Sequence, residues 1–228
     1  MVKLLDYYRY EKKFLIESFS INELITIIRK NPFLFSPAYN ERFVNNIYYD
    51  TPNYNSFYDS VNGNTKRQKI RIRWYGDLHG NLLNSNFEIK FKKNDLGYKK
   101  IIKLENFQIN KKIKKKYLIE TINKTINKNK LNLGYIEPKL INRYKRKYYQ
   151  SYDKKFRITI DTNLEFFKAD ELITNFLNKY CFEHIILEIK YNFENRKLAN
   201  IITNHLPFRL TKSSKYVIGI SNLKKNFI

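Results

Sequence analysis

Eight segments of this chain alternate apolar and polar residues with a period of two, and this pattern constrains the fold more than any other feature. The segments are YYRYEKKFLI, RFVNNIYYDT, QKIRIRWYG, FEIKFKK, YKKIIKL, NRYKRKYYQ, FRITIDTNL and IILEIKYN. Such alternation is typical of β-strands that bury one face. Few helical segments separate these strands, and parallel strands need a crossover helix, so we predict an antiparallel sheet or barrel of the α+β class.

Four other segments have helical periodicity. Ser20 and Glu23 predict a capping box that opens a helix, and Pro32 stops it. A second helix is predicted over residues 110–129, where apolar residues fall on one face among lysines. Two shorter helices fit DELITNFLNKY and ENRKLANIITNHL. No Pro/Gly/Ser-rich linker and no internal repeat divides the chain, so we expect one domain over residues 1–228.

The charge balance predicts a polyanionic partner. The chain has 44 Lys plus Arg against 21 Asp plus Glu, a formal net charge of +23. Nucleic acid, an anionic membrane and a phosphate polymer all attract such a chain. An A/T-rich coding sequence would also raise the lysine total, but it does not explain the arginines that recur at every second position.

Several classes of site and location are disfavoured. The single cysteine, Cys181, excludes an internal disulfide, and the three histidines lack the spacing of zinc ligands. The sequence has neither glycine-rich phosphate-binding motif, so side chains must hold any bound phosphate. No apolar run reaches the length of a membrane span, and the start MVKLLDYYRYEKK lacks the apolar region of a signal peptide. We therefore expect a soluble, cytoplasmic chain.

Charged residues of both signs occupy alternate positions in several predicted strands. They are Arg9, Glu11 and Lys13; Arg71 and Arg73; Glu88, Lys90 and Lys92; Arg157 and Asp161; and Glu188 and Lys190. One interpretation is the solvated face of a half-buried sheet. The other is a barrel lumen whose apolar outer face is covered by helices. Arginine favours the lumen because it binds phosphate in a bidentate way, and carboxylates there could hold a divalent metal. Spacing alone leaves both interpretations open.

Seven motifs, in order and with compatible spacing, resemble a known family over residues 8–222. They are RYEKKFLI, IYYDT, RIRWYG, FEIKFKK, FRITIDTNL, LEIKY and RLTKSSKYVIGI. They are similar to the polyphosphate polymerase domain of the vacuolar transporter chaperone (VTC) family, among the triphosphate tunnel (CYTH-like) metalloenzymes. The resemblance implies an eight-stranded antiparallel β-barrel with helices packed on the outside. It also implies transfer of the γ-phosphate of ATP onto inorganic polyphosphate, with release of ADP and with Mn²⁺ or Mg²⁺ as cofactor.

The resemblance also implies roles for individual residues, all of which would line the tunnel. Glu188 is expected to bind the metal, and Lys215 to contact the phosphate that is transferred. Lys99 or Lys100 should also face the lumen; alternation does not settle which one, and we take Lys100 as the prediction. The expected catalytic residues are Lys13, Arg71, Arg73 and Lys215, and the expected substrate-binding residues are Lys90, Lys100, Tyr144, Arg146, Arg157, Lys190, Lys212 and Ser214.

Three functions remain open from the sequence. Hydrolytic tunnel enzymes typically carry paired glutamates, whereas Arg9-x-Glu11-x-Lys13 and Glu188-x-Lys190 each replace a carboxylate with a cation. This favours a polymerase with ATP and polyphosphate as its partners, and no nucleic acid is expected. The alternatives are a metal-dependent tripolyphosphatase or nucleoside triphosphatase and a non-catalytic polyanion-binding module. The lysines of the predicted 110–129 helix leave open a peripheral membrane or membrane-protein partner.

Overall fold

A computed structural model describes residues 9–82, 84–93, 96–105, 107–109, 113–169 and 179–225. The strands are β1 (Arg9–Ile16), β2 (Ser36–Asp50), β3 (Lys66–Tyr75), β4 (Gly80–Asn81), β5 (Asn86–Lys93), β6 (Leu96–Lys103), β7 (Gln108–Ile109), β8 (Glu137–Gln150), β9 (Arg157–Lys168), β10 (Lys179–Phe182) and β11 (Ile185–Asn192). The helices are α1 (Ile21–Arg29), α2 (Asn55–Val61), α3 (Lys115–Lys128), α4 (Arg196–Asn204) and α5 (Lys215–Lys225).

Eight antiparallel strands form the main sheet in the order β1-β11-β9-β8-β2-β3-β5-β6. Each of the eight segments with a period of two supplies one of them, so the predicted α+β class and strand number are confirmed. β10 adds to β9 beside this path, and β4 pairs with β7 in a separate two-stranded sheet. These three short strands were not predicted, because two to four residues are too few for alternation to be recognised.

The main sheet curls so that strands far apart in its order face each other. Glu11 of β1 accepts a hydrogen bond of 2.8 Å from the Nζ of Lys90 in β5, although five strands separate these two in the sheet. Within the described residues β1 and β6 form no ladder. The edge of β1 instead forms a β-bridge between Phe14 and Leu210. The architecture is therefore a barrel-like tunnel whose strands curl around an inner face without closing by hydrogen bonds.

Helices cover the apolar outer face of this tunnel. α3 buries Leu118, Ile122 and Ile126 against side chains of β3 and β5 that include Ile72 and Phe87. α1 and α4 pack in the same way over β1, β9 and β11. Each fully buried Leu, Ile or Phe stabilises the fold by about 1.5–3 kcal/mol relative to the exposed side chain. This burial fixes which face of each strand turns inward.

Three of the predicted helices lie where the sequence placed them. α1 has the predicted capping box: Ser20 Oγ accepts from the Glu23 amide, and the Ser20 amide donates to Glu23 Oε2. α3 and α4 lie within the predicted segments. The helix predicted over DELITNFLNKY lies outside the described residues, except that Lys179 and Tyr180 begin β10. No helix in the described ranges is long and apolar enough to cross a membrane.

α5 differs from the covering helices because it packs against the inner face at one end of the tunnel. Tyr216, Ile220 and Leu223 of α5 are buried in one cluster with Val44, Tyr48, Leu140, Tyr144, Leu164, Phe166 and Ile186 of the strands. A Cβ at Gly219 would lie 2.5 Å from Phe166 Cδ1 and 2.6 Å from Leu140 Cδ2, so only glycine permits this approach. The prediction of helices on the outside therefore holds for α1, α3 and α4, whereas α5 fills part of the interior.

Candidate functional site

The strand register identifies the residues that share the inner face. Directly opposed residues of antiparallel strands point to the same side of a sheet. Lys13 lies opposite Glu188, which lies opposite Thr159, and the pairing continues in this way to Lys90 opposite Lys99. The inner face so defined includes the basic residues Lys13, Lys69, Arg71, Arg73, Lys90, Lys99, Arg146, Arg157 and Lys190 and the carboxylates Glu11, Glu88, Asp161 and Glu188.

Glu88 holds three of these cations in place. Its Oε2 accepts from Arg71 Nε at 2.6 Å and lies 4.0 Å from Arg73 Nε, while Oε1 pairs with Lys99. Burial would raise the pKa of the Glu88 carboxyl, but the charges of Arg71, Arg73 and Lys99 outweigh burial and hold the pKa well below its ordinary value. The sequence analysis recognised the alternation of Glu88 with its neighbours but assigned this residue no role, because the cations that pair with it lie on two other strands.

Arg73 extends the network toward Tyr144. Its Nε donates to Asn46 Oδ1 at 2.8 Å, and its Nη2 donates to the Tyr144 hydroxyl at 3.2 Å. The buried Tyr144 ring lies 5.2 Å from the Arg146 guanidinium carbon and 4.8 Å from Lys215 Nζ. Burial would raise the pKa of the Tyr144 phenol, but Arg146 and Arg73 outweigh it and the pKa lies below its ordinary value. Tyr144 therefore supports cations that face the lumen.

Asp161 joins the strands to the first residue of α5. Arg146 donates to its two oxygens at 2.5 and 2.7 Å, and Lys215 Nζ lies 2.5 Å from Oδ2. The carboxylate is fully buried, and burial would raise its pKa, but Arg146 and Lys215 keep the pKa below its ordinary value. Ser214, which precedes α5, accepts a 2.7 Å hydrogen bond from Lys69 Nζ. The predicted residues Arg146, Ser214 and Lys215 are thus brought together.

A second acidic centre lies where β1 meets β11. Lys190 Nζ is 3.3 Å from Glu188 Oε1, and Glu11 Oε1 is contacted by Lys13 at 3.3 Å and Lys90 at 2.8 Å. Burial would raise the pKa of the Glu188 carboxyl, but Lys190, Lys13 and a hydrogen bond with Glu11 lower it well below its ordinary value. The carboxylates of Glu188 and Glu11 are therefore neighbours across these strands.

This pair of carboxylates fits a metal that is shared with phosphate. Within the described residues no group of three or more His, Cys, Asp or Glu side chains could enclose an ion. Mg²⁺ is usually held by one or two carboxylates together with substrate phosphates, not by a cage of protein ligands alone, and Mn²⁺ also prefers oxygen ligands. Glu188 and Glu11 supply the protein part of such a site.

The sequence analysis chose Lys100 where Lys99 faces the lumen, and it missed Lys69. Lys100 lies opposite Ile89, an outer-face core residue, so the prediction that Lys100 faces the lumen is wrong; Lys99, opposite Lys90, has that position. Lys69 was not predicted. Burial, together with the charges of Lys13 and Lys90, lowers its pKa to about 7. Extending the alternation of Arg71 and Arg73 by one step toward the N-terminus would have identified it.

Two further predicted residues lie at the edges of the network. Lys212 is exposed in the segment before α5 and is not joined to the ion pairs of the inner face in the described contacts. Arg157 lies on the inner face opposite Lys190, and its buried Nε has no hydrogen-bond partner among the described residues. Arg157 therefore keeps a donor available, whereas Arg71, Arg73 and Arg146 are held by Glu88, Asn46 and Asp161.

A curled antiparallel sheet around a cationic lumen is the architecture of a triphosphate tunnel, or CYTH-like, fold. The model of the VTC domain family matches residues 8–224, and the chain belongs to this family.

A putative adenylate cyclase from Vibrio parahaemolyticus shares the fold at 11% identity with a TM-score of 0.51, covering 92% of this chain and 97% of that one. A putative adenylyl cyclase from Hippeastrum, described as having a dominant triphosphatase activity, aligns at 13% identity with a TM-score of 0.48 and covers 94% of this chain and 96% of that one. The search of curated proteins found no match.

Proposed function

We propose that this protein is an ATP-dependent polyphosphate polymerase, which transfers the γ-phosphate of ATP onto an inorganic polyphosphate chain held along the inner face. Membership of the VTC family and the tunnel fold support phosphoryl transfer or triphosphate hydrolysis as the class of reaction. One observation favours synthesis. Among the described residues each inner-face carboxylate is paired with a cation, as in Glu11–Lys90, Glu88–Arg71, Asp161–Lys215 and Glu188–Lys190, and the further cations leave the lumen with a net positive charge, which favours retention of a polyanionic product.

The basic residues perform the chemistry that this reaction requires. Phosphoryl transfer passes through a loose transition state, so the protein contributes position and charge stabilisation. A terminal oxygen of the polymer attacks the γ-phosphorus, the bond to the β–γ bridging oxygen breaks, and ADP leaves. Lys215 at the start of α5 and Arg146 of β8, together with Arg71 and Arg73, would stabilise the charge that develops on the oxygens. A protein nucleophile is not needed.

Glu188, with Glu11 beside it, would hold the divalent cation. When bound there, Mn²⁺ or Mg²⁺ neutralises charge on the phosphates. Lys13 and Lys190 keep the Glu188 carboxylate ionised and therefore able to bind the ion. The neighbouring carboxylates Glu11 and Glu188 are also the observation that favours the second candidate, a metal-dependent triphosphatase, because these two residues would hold the ion and a bound ion would supply activation of water.

Product analysis distinguishes these reactions. The purified protein is incubated with ATP and Mn²⁺, the products are separated on a polyacrylamide gel stained for polyphosphate, and ADP and free phosphate are assayed. A ladder of polymer with stoichiometric ADP is expected. Free phosphate without polymer would establish the triphosphatase, and binding of polyphosphate without turnover would leave only the non-catalytic polyanion-binding module. Glu188→Gln is the control for metal-dependent turnover.

A further inference from the structure

Two aromatic rings flank one arginine at an end of the inner face, and a third ring packs against one of them. The Arg42 guanidinium carbon lies 4.0 Å from the centre of the Tyr75 ring and 5.1 Å from that of Tyr148. Arg42 Nε also donates to the Tyr148 hydroxyl at 3.2 Å, which fixes the guanidinium between the rings. Tyr39 packs edge-on against Tyr148, with ring centres 5.5 Å apart and an interplanar angle of 84°. We call these four residues the aromatic mouth.

The aromatic mouth continues the cationic inner face. Tyr75 follows Arg73 by two positions on β3, Tyr148 follows Arg146 by two positions on β8, and Arg42 lies opposite Arg146 in the sheet register. Residues two apart on a strand point to the same side and are about 7 Å apart. A ligand whose phosphates contact Arg73 and Arg146 would therefore extend its next chemical group over these rings.

Two of the rings and the guanidinium are accessible, whereas Tyr148 is buried. Tyr39 is 56% exposed, Tyr75 is 37% exposed, and Arg42 is exposed as well. Among the described residues no carboxylate forms an ion pair with Arg42, so its charge is not neutralised within the tunnel mouth. A flat, positively charged surface flanked by rings is the environment on which nucleobases stack. Inorganic phosphate has no group that could stack on these rings.

We propose that the aromatic mouth binds the base of a nucleoside triphosphate, by stacking on Tyr75 and Arg42, while the triphosphate lies along the inner face. The substrate class is a nucleotide with a purine base, which has the larger stacking surface. ATP then enters at the end of the tunnel formed by Tyr39, Tyr75 and Tyr148. This assignment rests on the proposed function, since it identifies how the phosphate donor is oriented in the same tunnel.

Paired ligands test the base contact separately from the phosphate contacts. Titration calorimetry in magnesium-free buffer measures the Kd of ATP and of inorganic tripolyphosphate for the wild-type protein and Tyr75→Ala. We expect about tenfold weaker binding of ATP and an unchanged Kd for tripolyphosphate, because only ATP carries a base to stack. Tyr75→Phe keeps the ring and should keep the affinity for ATP. Equal losses for both ligands, or no loss for either, would overturn the assignment.

Two further variants guard against indirect effects. Tyr39→Ala removes a more exposed ring of the same cluster and should also weaken ATP binding selectively. Tyr135→Ala is the matched control, because Tyr135 is 57% exposed and precedes β8 at the end of that strand away from Tyr148. Circular dichroism checks that each variant is folded. A loss of ATP affinity in Tyr135→Ala as large as in Tyr75→Ala would also contradict the proposal.

Failure of this inference is distinguishable from failure of the proposed function. If polyphosphate is made but Tyr75→Ala binds ATP like the wild type, the base assignment is wrong and the polymerase stands. If no polymer is made and Tyr75→Ala still loses affinity for ATP alone, the base assignment stands and the polymerase is wrong. If the wild type binds neither ATP nor tripolyphosphate, both are wrong.

Discussion

Lys215 Nζ lies 2.5 Å from the buried Oδ2 of Asp161, so the first residue of α5 is fixed to β9 by an ion pair inside the tunnel. Arg146 binds both oxygens of the same carboxylate. One carboxylate therefore positions a cation from a strand and a cation from a helix beside each other. The negative charge of Asp161 also offsets part of their repulsion, which would otherwise oppose folding.

Lys215→Met should abolish catalysis with little loss of stability. Asp161 keeps its two bonds from Arg146, so a buried charge is not left unpaired, whereas the transferred phosphate loses a cation. We expect turnover of ATP to fall at least about 100-fold. Arg146→Met is the comparison, and it should lower the free energy of unfolding by about 3 kcal/mol because Asp161 loses both of its bonds from Arg146. ADP release measures turnover, and urea denaturation measures the free energy of unfolding. If Lys215→Met turned ATP over at the wild-type rate, Lys215 would be excluded from the site.

Glu188→Gln should remove metal-dependent turnover while retaining polyanion binding. The amide cannot replace an ionised carboxylate as a ligand for Mn²⁺, but the surrounding lysines remain. We expect the Mn²⁺ concentration for half-maximal rate to rise at least tenfold, and tripolyphosphate in EDTA to bind as tightly as in the wild type or more tightly. Manganese titration of the rate and calorimetry are the measurements. An unchanged manganese dependence would show that the ion binds elsewhere.

Lys69 should make anion binding depend on pH near neutrality. Its pKa is about 7 because it is buried near Lys13, Lys90 and Arg67, with Glu11 opposing, against an ordinary value of 10.5. Above pH 7 the folded protein has lost a proton that the unfolded chain keeps, so this group makes stability rise with pH up to about pH 10.5. A bound phosphate favours the charged form, so binding takes up a proton.

The corresponding measurement compares the wild type with Lys69→Met. From about pH 6.5 to about pH 8.5, the affinity of the wild type for tripolyphosphate should fall relative to that of the variant, by up to tenfold per pH unit above pH 7. Calorimetry in buffers of different ionisation enthalpy reports proton uptake directly. Parallel pH profiles for the two proteins would show that Lys69 does not titrate on binding.

Lys99→Met and Lys100→Met test the strand register by function. Lys99 lies on the inner face and pairs with Glu88, whereas Lys100 lies on the outer face opposite Ile89. We expect Lys99→Met to weaken tripolyphosphate binding about fivefold or more, and Lys100→Met to leave it within error, although both remove one positive charge. Equal effects of the two changes would mean that only net charge matters.

Gly219→Ala should destabilise the protein through α5. The added Cβ would meet Phe166 and Leu140 at contact distances that packed side chains do not tolerate. We expect a loss of about 1–3 kcal/mol in the free energy of unfolding, with reduced turnover because α5 carries Lys215. Gly134→Ala is the control, since no atom lies within 4 Å of its added Cβ, and it should change stability by no more than about 0.5 kcal/mol. Chemical denaturation measures both.

Period-two alternation predicted the eight main strands correctly, because it depends only on neighbouring residues. For the same reason Arg71 and Arg73 had to share a face. The sequence also predicted the capping box of α1, since Ser20 and Glu23 are three residues apart. α5 was not predicted: KYVIGISNLKK contains a glycine and weak periodicity, and its apolar residues are buried by strands from distant parts of the chain.

The sequence alone therefore determined the strands, their class and the charges available to bind a polyanion. Tertiary structure decided which face turned inward, because that depends on where α1, α3 and α4 bury the opposite face. It also decided the register that favours Lys99 over Lys100, the pairing of Lys215 with Asp161, and the meeting of Arg42 with Tyr75 and Tyr148. Each of these joins residues from separate strands or helices, and alternation within one strand carries no information about its partners.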